Sequence, residues 1–551
     1  MIGQAARQVA TSLRAVASVF ANPEIRKLQI AWGASSLALW SFAIALSVYA
    51  FDVGGAAAVG VAALVRLLPG ALVSPLAGLL GDRHSRRVIL VGSATVASIA
   101  MGCAAAAVAA DTGAGVVFAL AGLVTIASSP YVPAEGALLP AVARSPQELS
   151  AANVAHSAMD NLGFLFGALL SGVMLTATTP QAVFLVAAGV SLIAAAAVLG
   201  LRRDRRPSYA TEARARGALR ETGQGLATLI ADRELRLAGA TLTLLVLMEG
   251  AADVLIVIVA LDLLGLSNGS VGYLNAAWGI GAFLAVAPLA LLLERGRLAA
   301  GLVAGSLIAG AAIILPAILV VPVVAYLAWA ALGIGYSLVE VAARTLLQRL
   351  GSDEVMARVL GTLETLRLGA MAAGSIAAPG LVSLFGIEGA LFALGAVLPL
   401  FAVLRWSALH SYEIGSPVEE DHFRLLRANP IFAPLPVDTL ERLSRNLDPV
   451  EAARGDEIIT QGDVGDRFYL IESGEVEVIE DGLFRKCESA GESFGEIALL
   501  HDVVRTATVR ATIATTLLAL DREHFLNAVT GHHRSHEAAA SVADERLGVG
   551  R

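Results

Sequence analysis

Residues 74–93 read SPLAGLLGDRHSRRVILVGS, and this stretch decides the fold. An apolar run ends at Leu80, and a second one begins at Val88. The six residues 82–87 between them hold one acid and four basic or titratable side chains. Two helices long enough to cross a bilayer, joined by a short cationic turn, place that turn on the cytoplasmic side. The stretch therefore predicts a membrane protein with this turn in the cytoplasm.

The same turn carries a family pattern. Residues 78–87 read Gly-x-x-x-Asp-Arg-x-Ser-Arg-Arg, which resembles the signature loop between the second and third spans of the major facilitator superfamily. In that family the loop is a conformational latch, which implies a cytoplasmic gate at Asp82, Arg83, Arg86 and Arg87. Family members usually carry glycine where this chain has Ser85. A serine in a left-handed turn costs about 1 kcal/mol, so either the turn differs here or it is strained.

The stretch recurs 213 positions later, where residues 287–306 read APLALLLERGRLAAGLVAGS. Pro75 aligns with Pro288 and Gly92 aligns with Gly305, although most charges of the first copy are lost. Two related halves of about six helices are what the superfamily has, with substrate held near the midplane between them. The repeat therefore predicts two six-helix pseudo-repeats.

The composition places most of the chain in lipid. Of its 551 residues, 16% are charged and 56% are hydrophobic, whereas soluble proteins have about 25% charged residues. Apolar runs long enough to span a bilayer follow one another to residue 408. They predict twelve spans, near 28–51, 55–80, 88–110, 114–134, 149–176, 181–201, 236–263, 269–293, 299–317, 320–343, 357–384 and 387–407.

The fold class is thus a multi-span α-helical membrane protein with a C-terminal cytoplasmic domain. From about residue 455 the sequence changes to short alternating strands with glycine turns, which predicts a small all-β barrel of the jelly-roll type. One last helix is predicted from about Arg522 to Arg546. The predicted segments are an amphipathic cytoplasmic N-terminus (1–27), a first half (28–201), a connector (202–235), a second half (236–408), a linker (409–425) and the C-terminal domain (426–545).

Charge in the loops predicts the orientation. Basic residues lie in the 82–87 turn, the 202–235 connector and the loop around residue 295, while the opposite loops hold little beyond Asp52, Asp111, Asp262 and Glu388. The positive-inside rule then places both termini in the cytoplasm. We expect an integral protein of the plasma membrane, in contact with the lipid bilayer.

A second motif lies in the C-terminal domain. Residues 491–511 read GESFGEIALLHDVVRTATVRA and resemble the phosphate-binding cassette of cyclic nucleotide-binding domains. A cyclic phosphate needs a cation and free backbone amides, and Arg505 supplies a charge-assisted contact. A short helix beginning near Glu496 supplies unpaired amides. The upstream stretch 462–478, GDVGDRFYLIESGEVEV, matches the same family.

The resemblance also implies the role of each residue in the cassette. Glu496 would hold the ribose hydroxyl, Gly495 would let the backbone approach, and Ala507 would give its amide to the phosphate. Thr506 would reach a guanine amino group, although many binders of cyclic AMP carry threonine there. The predicted binding residues are Gly495, Glu496, Ile497, Ala498, Arg505, Thr506 and Ala507. The expected regulatory ligand is cyclic AMP, with cyclic GMP as the alternative.

Charges at membrane depth cost several kcal/mol, so each one is a functional candidate. Glu249 and Asp253 are four residues apart on one helix face, which suits a proton-coupling pair; the alternative is a hydrated position near the helix end. Arg66 either pairs with Asp160 or binds an anionic substrate. These four residues are the transport and coupling candidates.

Two pairs of oppositely charged residues near helix ends are expected to stabilise their own helices. Glu340 and Arg344 are four residues apart, and Glu364 and Arg367 are three apart. We expect structural pairs, with a role in the cytoplasmic gate as the alternative. His156 and the other histidines lack the framework of a metal site, so we expect no metal and no other cofactor.

The functional prediction combines the two motifs. Residues 133–172, with Leu138-Leu139-Pro140, resemble the drug- and siderophore-exporting branch of the superfamily. We expect a secondary transporter, a proton-coupled exporter of small molecules, regulated by cyclic nucleotide. The alternative is a membrane sensor whose transporter-like body moves no substrate. A cyclic nucleotide-gated channel is disfavoured by the duplicated halves, and we expect neither an enzyme nor a binder of nucleic acid.

Overall fold

A computed structural model describes residues 20–83, 85–201, 226–231, 233–294, 298–350, 353–405, 420–435, 439–440, 443–444, 446–530 and 533–547. The chain forms two compact units, Met1–His410 and Ser411–Arg551. Residues 1–19 of the predicted N-terminal segment lie outside the described residues. So do residues 202–225 of the connector, residues 409–419 of the linker and His84 of the signature loop.

Helices are the only regular secondary structure in the described part of the membrane unit. Its first half contains α1 (Pro23–Arg83), α2 (Arg86–Ala109), α3 (Ala114–Ser128), α4 (Tyr131–Val142), α5 (Pro146–Ala177) and α6 (Pro180–Leu199). Its second half contains α7 (Arg233–Ile258), a π-helical turn (Val259–Leu263), α8 (Gly269–Leu284), α9 (Val286–Glu294), α10 (Leu298–Ile318), α11 (Pro322–Leu350) and α12 (Asp353–Leu404).

Ten stretches within the described residues are long and apolar enough to cross a membrane. Two of them, in α1 and α12, are 48 and 43 residues long. Each bends at a glycine with a non-helical backbone: Gly55 has φ 60° and Gly386 has φ 72°, a region that glycine enters without steric cost. Both bends fall where one predicted span ends and the next begins. The count of twelve spans stays a prediction.

The turn between α1 and α2 is not left-handed at its serine. Ser85 has φ −56° and ψ 127°, and its hydroxyl accepts a hydrogen bond from the Val88 amide at 3.3 Å. Serine is a favoured N-cap residue because its oxygen satisfies an unpaired amide at the helix start. The backbone at Ser85 therefore has no left-handed strain and does not need glycine. Arg87, the second residue of α2, donates to the Leu199 carbonyl at the end of α6.

The two halves meet in backbone contact where α5 crosses α8. A Cβ added to Gly272 would lie 2.3 Å from the Gly172 nitrogen and 2.6 Å from the Ala168 carbonyl oxygen. In the same way, a Cβ on Gly60 of α1 would lie 2.7 Å from the Pro379 ring of α12. Small residues allow such close approach in membranes, where packing replaces the hydrophobic effect. These contacts lie toward the ends of the spans that the sequence predicts to face away from the cytoplasm.

The C-terminal unit contains two four-stranded antiparallel sheets, with strand orders β1-β8-β3-β6 and β2-β7-β4-β5. The strands are β1 (Asp448–Ala452), β2 (Glu457–Ile459), β3 (Arg467–Ser473), β4 (Glu475–Glu480), β5 (Leu483–Ser489), β6 (Ser493–Phe494), β7 (Thr508–Ala511) and β8 (Thr515–Asp521). Residues of both sheets share one buried cluster, which includes Tyr469, Val476 and Leu517. Closure into a barrel stays a prediction.

Helices cover the other face of the first sheet. They are α13 (Glu420–Ala428), α14 (Glu496–Leu500), α15 (Arg522–Thr530) and α16 (His533–Leu547). Phe468 of β3 lies in one buried cluster with Phe432 and Phe525, whereas its neighbour Tyr469 belongs to the cluster between the sheets. This is the period of two expected of a strand that is covered on both faces. The region predicted as one closing helix, from about Arg522 to Arg546, contains α15 and α16 in the structure, and residues 531–532 of the prediction lie outside the described residues.

The close contact between α5 and α8 predicts that adding a side chain at Gly272 destabilises the fold. Replacing Gly272 with Ala places a methyl group against the Gly172 backbone, and such overpacking costs about 1–3 kcal/mol. The matched control is Gly189→Ala on α6, where an added Cβ meets nothing within 4 Å. We expect the melting temperature of the detergent-purified chain to fall for Gly272→Ala and to hold or rise for Gly189→Ala. Equal melting temperatures for the two variants would contradict the close crossing.

Candidate nucleotide and transport sites

The cassette in the C-terminal unit is built around a left-handed glycine. Gly495 has φ 96° and lies between β6 and the first residue of α14. A Cβ at this position would lie 2.8 Å from Arg505 Nη1 and 3.1 Å from the Arg467 carbonyl oxygen. Both the backbone conformation and the lack of space require glycine here.

Arg505 is buried and held in place by the backbone around it. Its side chain is 5% exposed. Nη1 donates to the Gly495 carbonyl at 3.0 Å, and Nη2 donates to the Arg467 carbonyl at 2.8 Å. Nη2 also lies 3.5 Å from Asp466 Oδ1. Burial lowers the pKa of the guanidinium, while Tyr469 and Asp466 oppose that change. The cation is therefore positioned beside the start of α14 before any ligand arrives.

Glu496 is also buried, and its two oxygens differ. Oε1 accepts from Arg546 Nη1 at 2.8 Å, whereas Oε2 has no hydrogen-bond partner among the described residues. Arg546 Nη2 lies 2.9 Å from Oε1 of a second buried acid, Glu488, which Lys486 also contacts at 2.6 Å. Burial raises the pKa of the Glu496 carboxyl, and the charge of Arg546 opposes that rise. Oε2 is therefore a buried acceptor without a hydrogen-bond partner among the described residues.

The remaining cassette residues surround these two charges. Ala498 is buried, and a Cβ on Gly465 would lie 2.6 Å from its methyl group, so both positions need small residues. Ile497, Thr506 and Ala507 are half-buried. The sequence prediction missed Arg546, because it lies 50 residues from Glu496 at the end of a separate helix.

In the membrane unit, an ion pair joins the two halves. Arg66 Nη2 on α1 lies 3.1 Å from Asp253 Oδ2 on α7. Trp40, Ser47 and Asn275 line a cavity of about 20 Å³ around this pair, which has room for about one water molecule. The predicted alternative, a pair between Arg66 and Asp160, was wrong.

Asp160 has a different contact within the first half. Its Oδ1 accepts from the Ser36 hydroxyl of α1 at 2.9 Å. Arg66 lies in the second apolar segment of α1, beyond the bend at Gly55, where Asp253 of the other half is its acidic partner. Helix periodicity alone does not decide between these two acids.

Glu249 is one helical turn from Asp253 but has another partner. Its Oε2 accepts from the Tyr336 hydroxyl of α11 at 2.6 Å. Trp278 and Met248 line a second small cavity beside it. The two acids thus share a helix while each is hydrogen-bonded to a different neighbouring helix. The sequence prediction missed Tyr336, which lies 87 residues from Glu249.

The gate candidates are described only in part. Asp82 and Arg83 are in the last turn of α1, and Arg86 begins α2. Glu340 and Arg344 pair with each other at 3.2 Å, and Glu364 and Arg367 pair at 3.5 Å, both within a single helix. Such contacts fit the structural interpretation, and a gate role stays a prediction. No group of His, Cys, Asp or Glu that could hold a metal ion is found among the described residues.

Comparison with known proteins identifies both parts of the chain. A sequence model of the Major Facilitator Superfamily matches residues 30–367, more than half of the chain, and a model of the cyclic nucleotide-binding domain matches residues 449–532. Both expected families are confirmed. The C-terminal unit is a cyclic nucleotide-binding domain, and the helical unit is embedded in a membrane. Neither family is enzymatic.

Curated relatives match the C-terminal domain. The cAMP-dependent protein kinase regulatory subunit of Yarrowia lipolytica is 37% identical over 119 residues, and that of Schizosaccharomyces pombe is 38% identical over 102 residues. These alignments cover 22% and 18% of this chain, and 32% and 25% of the two relatives. The chain thus spans a third or less of the length of these relatives.

Solved structures are similar over the same region. The regulatory domain of Toxoplasma gondii PKA with cAMP is 30% identical, covering 23% of this chain and 49% of that chain, with a TM-score of 0.20. The regulatory subunit of a cAMP-independent protein kinase A from Trypanosoma cruzi, bound to guanosine, is 26% identical over 23% of this chain and 46% of that chain, with a TM-score of 0.21. Scores this low say nothing about the ligand of this chain.

The cassette geometry predicts how replacing Arg505 with lysine changes the affinity for cyclic nucleotide. Arg505→Lys keeps the charge but cannot reproduce the two-pronged contacts, so we expect cyclic nucleotide affinity to fall about tenfold to a hundredfold. The control is Arg510→Lys on β7, where the arginine pairs with Glu477 at 2.6 Å. Calorimetric titration of the full chain with cyclic AMP and cyclic GMP checks this. Equal affinities in wild type and Arg505→Lys would remove Arg505 from the site.

Proposed function

The chain belongs to the Major Facilitator Superfamily, and on that premise we propose that it exports a small molecule across the plasma membrane, coupled to protons and regulated by cyclic nucleotide. The observation that carries the coupling is the ion pair between Arg66 and Asp253 at membrane depth. This ion pair joins one half to the other. A change in the charge of either residue therefore changes the contact between the two halves.

Proton binding gives this pair two states. When Asp253 is ionised, it neutralises Arg66 and both charges are tolerated in the bundle. When a proton binds Asp253, the carboxyl becomes neutral and Arg66 keeps an unpaired positive charge. An unpaired charge at membrane depth is costly, so protonation favours an arrangement in which Arg66 reaches water or an anionic group of the substrate. Alternating access requires two such arrangements of the halves.

Glu249 is the second candidate for carrying a proton. Its hydrogen bond from Tyr336 ties α7 to α11, and it lies one turn from Asp253 on the same helix. A carboxylate held by a hydroxyl donor can release that donor when it is protonated. The two acids therefore offer sequential positions for a proton along α7.

The direction of transport and the orientation have weaker support. Residues 133–172 resemble the exporting branch of the superfamily, which favours efflux. The basic loops favour a cytoplasmic location for both termini, and so for the nucleotide-binding domain. There a change in the cytosolic concentration of cyclic nucleotide reaches its site directly.

Cyclic AMP is the proposed ligand of the C-terminal domain. The curated relatives are named as cAMP-dependent kinase subunits. The buried Arg505 beside Gly495 and the buried carboxyl of Glu496 support the proposal that this cassette holds a cyclic phosphate and a ribose hydroxyl. Cyclic GMP is the second ligand to test, because the half-buried Thr506 lies where a hydroxyl would reach a guanine amino group in the family pattern. Bound nucleotide shifts the transport cycle only through its different affinity for the two states of the transporter.

Proton flux in liposomes tests the coupling. The full chain is reconstituted with a pH-sensitive dye inside, and a panel of drug-like cations and of catecholate and hydroxamate siderophores is added in turn. We expect at least one compound to drive a pH change that Asp253→Asn abolishes, because the proton-binding carboxyl is gone. Glu388→Gln is the control, since that acid is exposed and is not among the transport, coupling or gate candidates.

Two results would contradict the proposal. Substrate movement at the wild-type rate in Asp253→Asn would exclude coupling through this acid. A chain that binds cyclic AMP but moves no compound of the panel would favour the membrane sensor over the exporter.

A further inference from the structure

A separate cluster of polar side chains lies inside the first half of the membrane unit. Glu135 on α4 is 1% exposed, and its Oε1 lies 3.1 Å from Nδ1 of His156 on α5. His156 is 29% exposed, so the imidazole lies between the buried acid and the accessible space beside α5. The hydrogen bonds and ion pairs given above for Arg66 and Asp253 include neither Glu135 nor His156.

Trp32 of α1 completes the surroundings of the imidazole. Its ring stacks on His156 with centroids 4.6 Å apart and an angle of 18° between the ring planes. The face of an indole attracts a cation placed over it, and an adjacent carboxylate also favours the charged imidazole. Two independent contacts on two different helices therefore stabilise His156 in its protonated form.

The cluster also contains polar atoms that lack partners. These are Glu135 Oε2, Tyr131 OH, Trp32 Nε1 and Gln29 Oε1, which are buried and unpaired among the described residues. They include two acceptors and at least one donor, and the Tyr131 and Trp32 rings are 5.6 Å apart. Buried polar groups are nearly always paired, so several unpaired ones in one place indicate bound water. Water gives a proton a route to Glu135 and His156.

The charges facing this cluster are few. Asp160, one turn after His156 on α5, acts electrostatically on both members of the pair, and Tyr131 faces Glu135. From α2, from α6 and from the residues just after α6 the packed side chains are apolar, namely Leu90, Val198 and Leu201. The cations and acids at the nearby helix ends have other contacts: Lys27 with Glu24 and the Gly200 carbonyl, Arg87 with the Leu199 carbonyl, and Glu148 with Asn22.

We propose that His156 and Glu135 form a proton-binding site in the first half, in addition to the acids on α7. A proton from water binds the imidazole at Nε2, because Nδ1 is engaged by Glu135. The pair then changes from a net charge of −1, with neutral imidazole and carboxylate, to a neutral ion pair. Release of the proton to water reverses the step. All three helices belong to one half, so the pair stays intact as the halves move, and only its access to water changes.

The existence of this site does not depend on transport. Its consequence, a second proton moved per cycle, rests on the proposed exporter. The test is therefore chosen to report on the proton and not on the substrate. Because Trp32 stacks on His156, its fluorescence is quenched when the imidazole becomes charged.

The measurement is the tryptophan fluorescence of the purified full chain between about pH 5 and 9, the range in which histidine titrates. We expect a sigmoidal loss of emission on acidification that is absent in Trp32→Phe and in His156→Gln. In Glu135→Gln, which keeps the shape of the side chain, we expect the midpoint to move to lower pH, since the anionic partner is lost. The control is His422→Gln, whose histidine lies 3.3 Å from Glu472 in the C-terminal unit and leaves the titration unchanged.

Three outcomes would overturn the proposal. They are a fluorescence titration that survives in His156→Gln, a wild-type signal assigned to Trp32 that does not change across this pH range, and an unmoved midpoint in Glu135→Gln. We expect the fluorescence titration to persist in Asp253→Asn. The proton-binding site at His156 can therefore be confirmed even if the exporter proposal fails. The exporter proposal can likewise be confirmed even if the site at His156 is absent.

Discussion

The ion pair between Arg66 and Asp253 is the constraint on which the membrane unit depends. Hydrocarbon does not solvate charge, so each of these two residues needs the other, and they come from opposite halves. At the ends of the spans, by contrast, the halves meet through glycines that bring backbones together, as at Gly272 and Gly172. The contact between Arg66 and Asp253 depends on charge, whereas the contact between Gly272 and Gly172 depends on the small size of the two residues. A proton can therefore change the first while leaving the second untouched.

The C-terminal unit uses buried charge in a comparable way. Arg505 and Glu496 are both nearly inaccessible, and each is fixed by partners within the domain: backbone carbonyls for the arginine and Arg546 for the acid. A site organised in advance loses little conformational entropy when it binds its ligand. The buried carboxyl of Glu496 and the position of Arg505 beside Gly495 support the proposal that the domain binds a cyclic phosphate ester with a free ribose hydroxyl.

Much of this could be predicted from the sequence, because both motifs are local. The signature turn, the repeat of 74–93 at 287–306 and the cassette around Arg505 are each read within about twenty residues, and the two families they indicate are confirmed. The serine of the turn was correctly noted as a departure, but only the backbone shows that it caps a helix. The partners of the buried charges could not be predicted. Periodicity gives the face of a helix, while the rotation of each helix in the bundle selects Asp253 for Arg66 and Tyr336 for Glu249.

The most direct test of a nucleotide-regulated transporter is the distance between the two halves with and without cyclic AMP. Spin labels at Arg144→Cys and Thr345→Cys, with Cys103 and Cys487 replaced by serine, report that distance by pulsed electron resonance in the full chain. We expect cyclic AMP at about ten times the wild-type Kd to shift the distance distribution, and we expect a smaller shift in the Arg505→Lys variant at the same concentration, because its affinity is about tenfold to a hundredfold lower. An unchanged distribution in a chain that binds cyclic AMP by calorimetry would show that the domain does not act on the transporter.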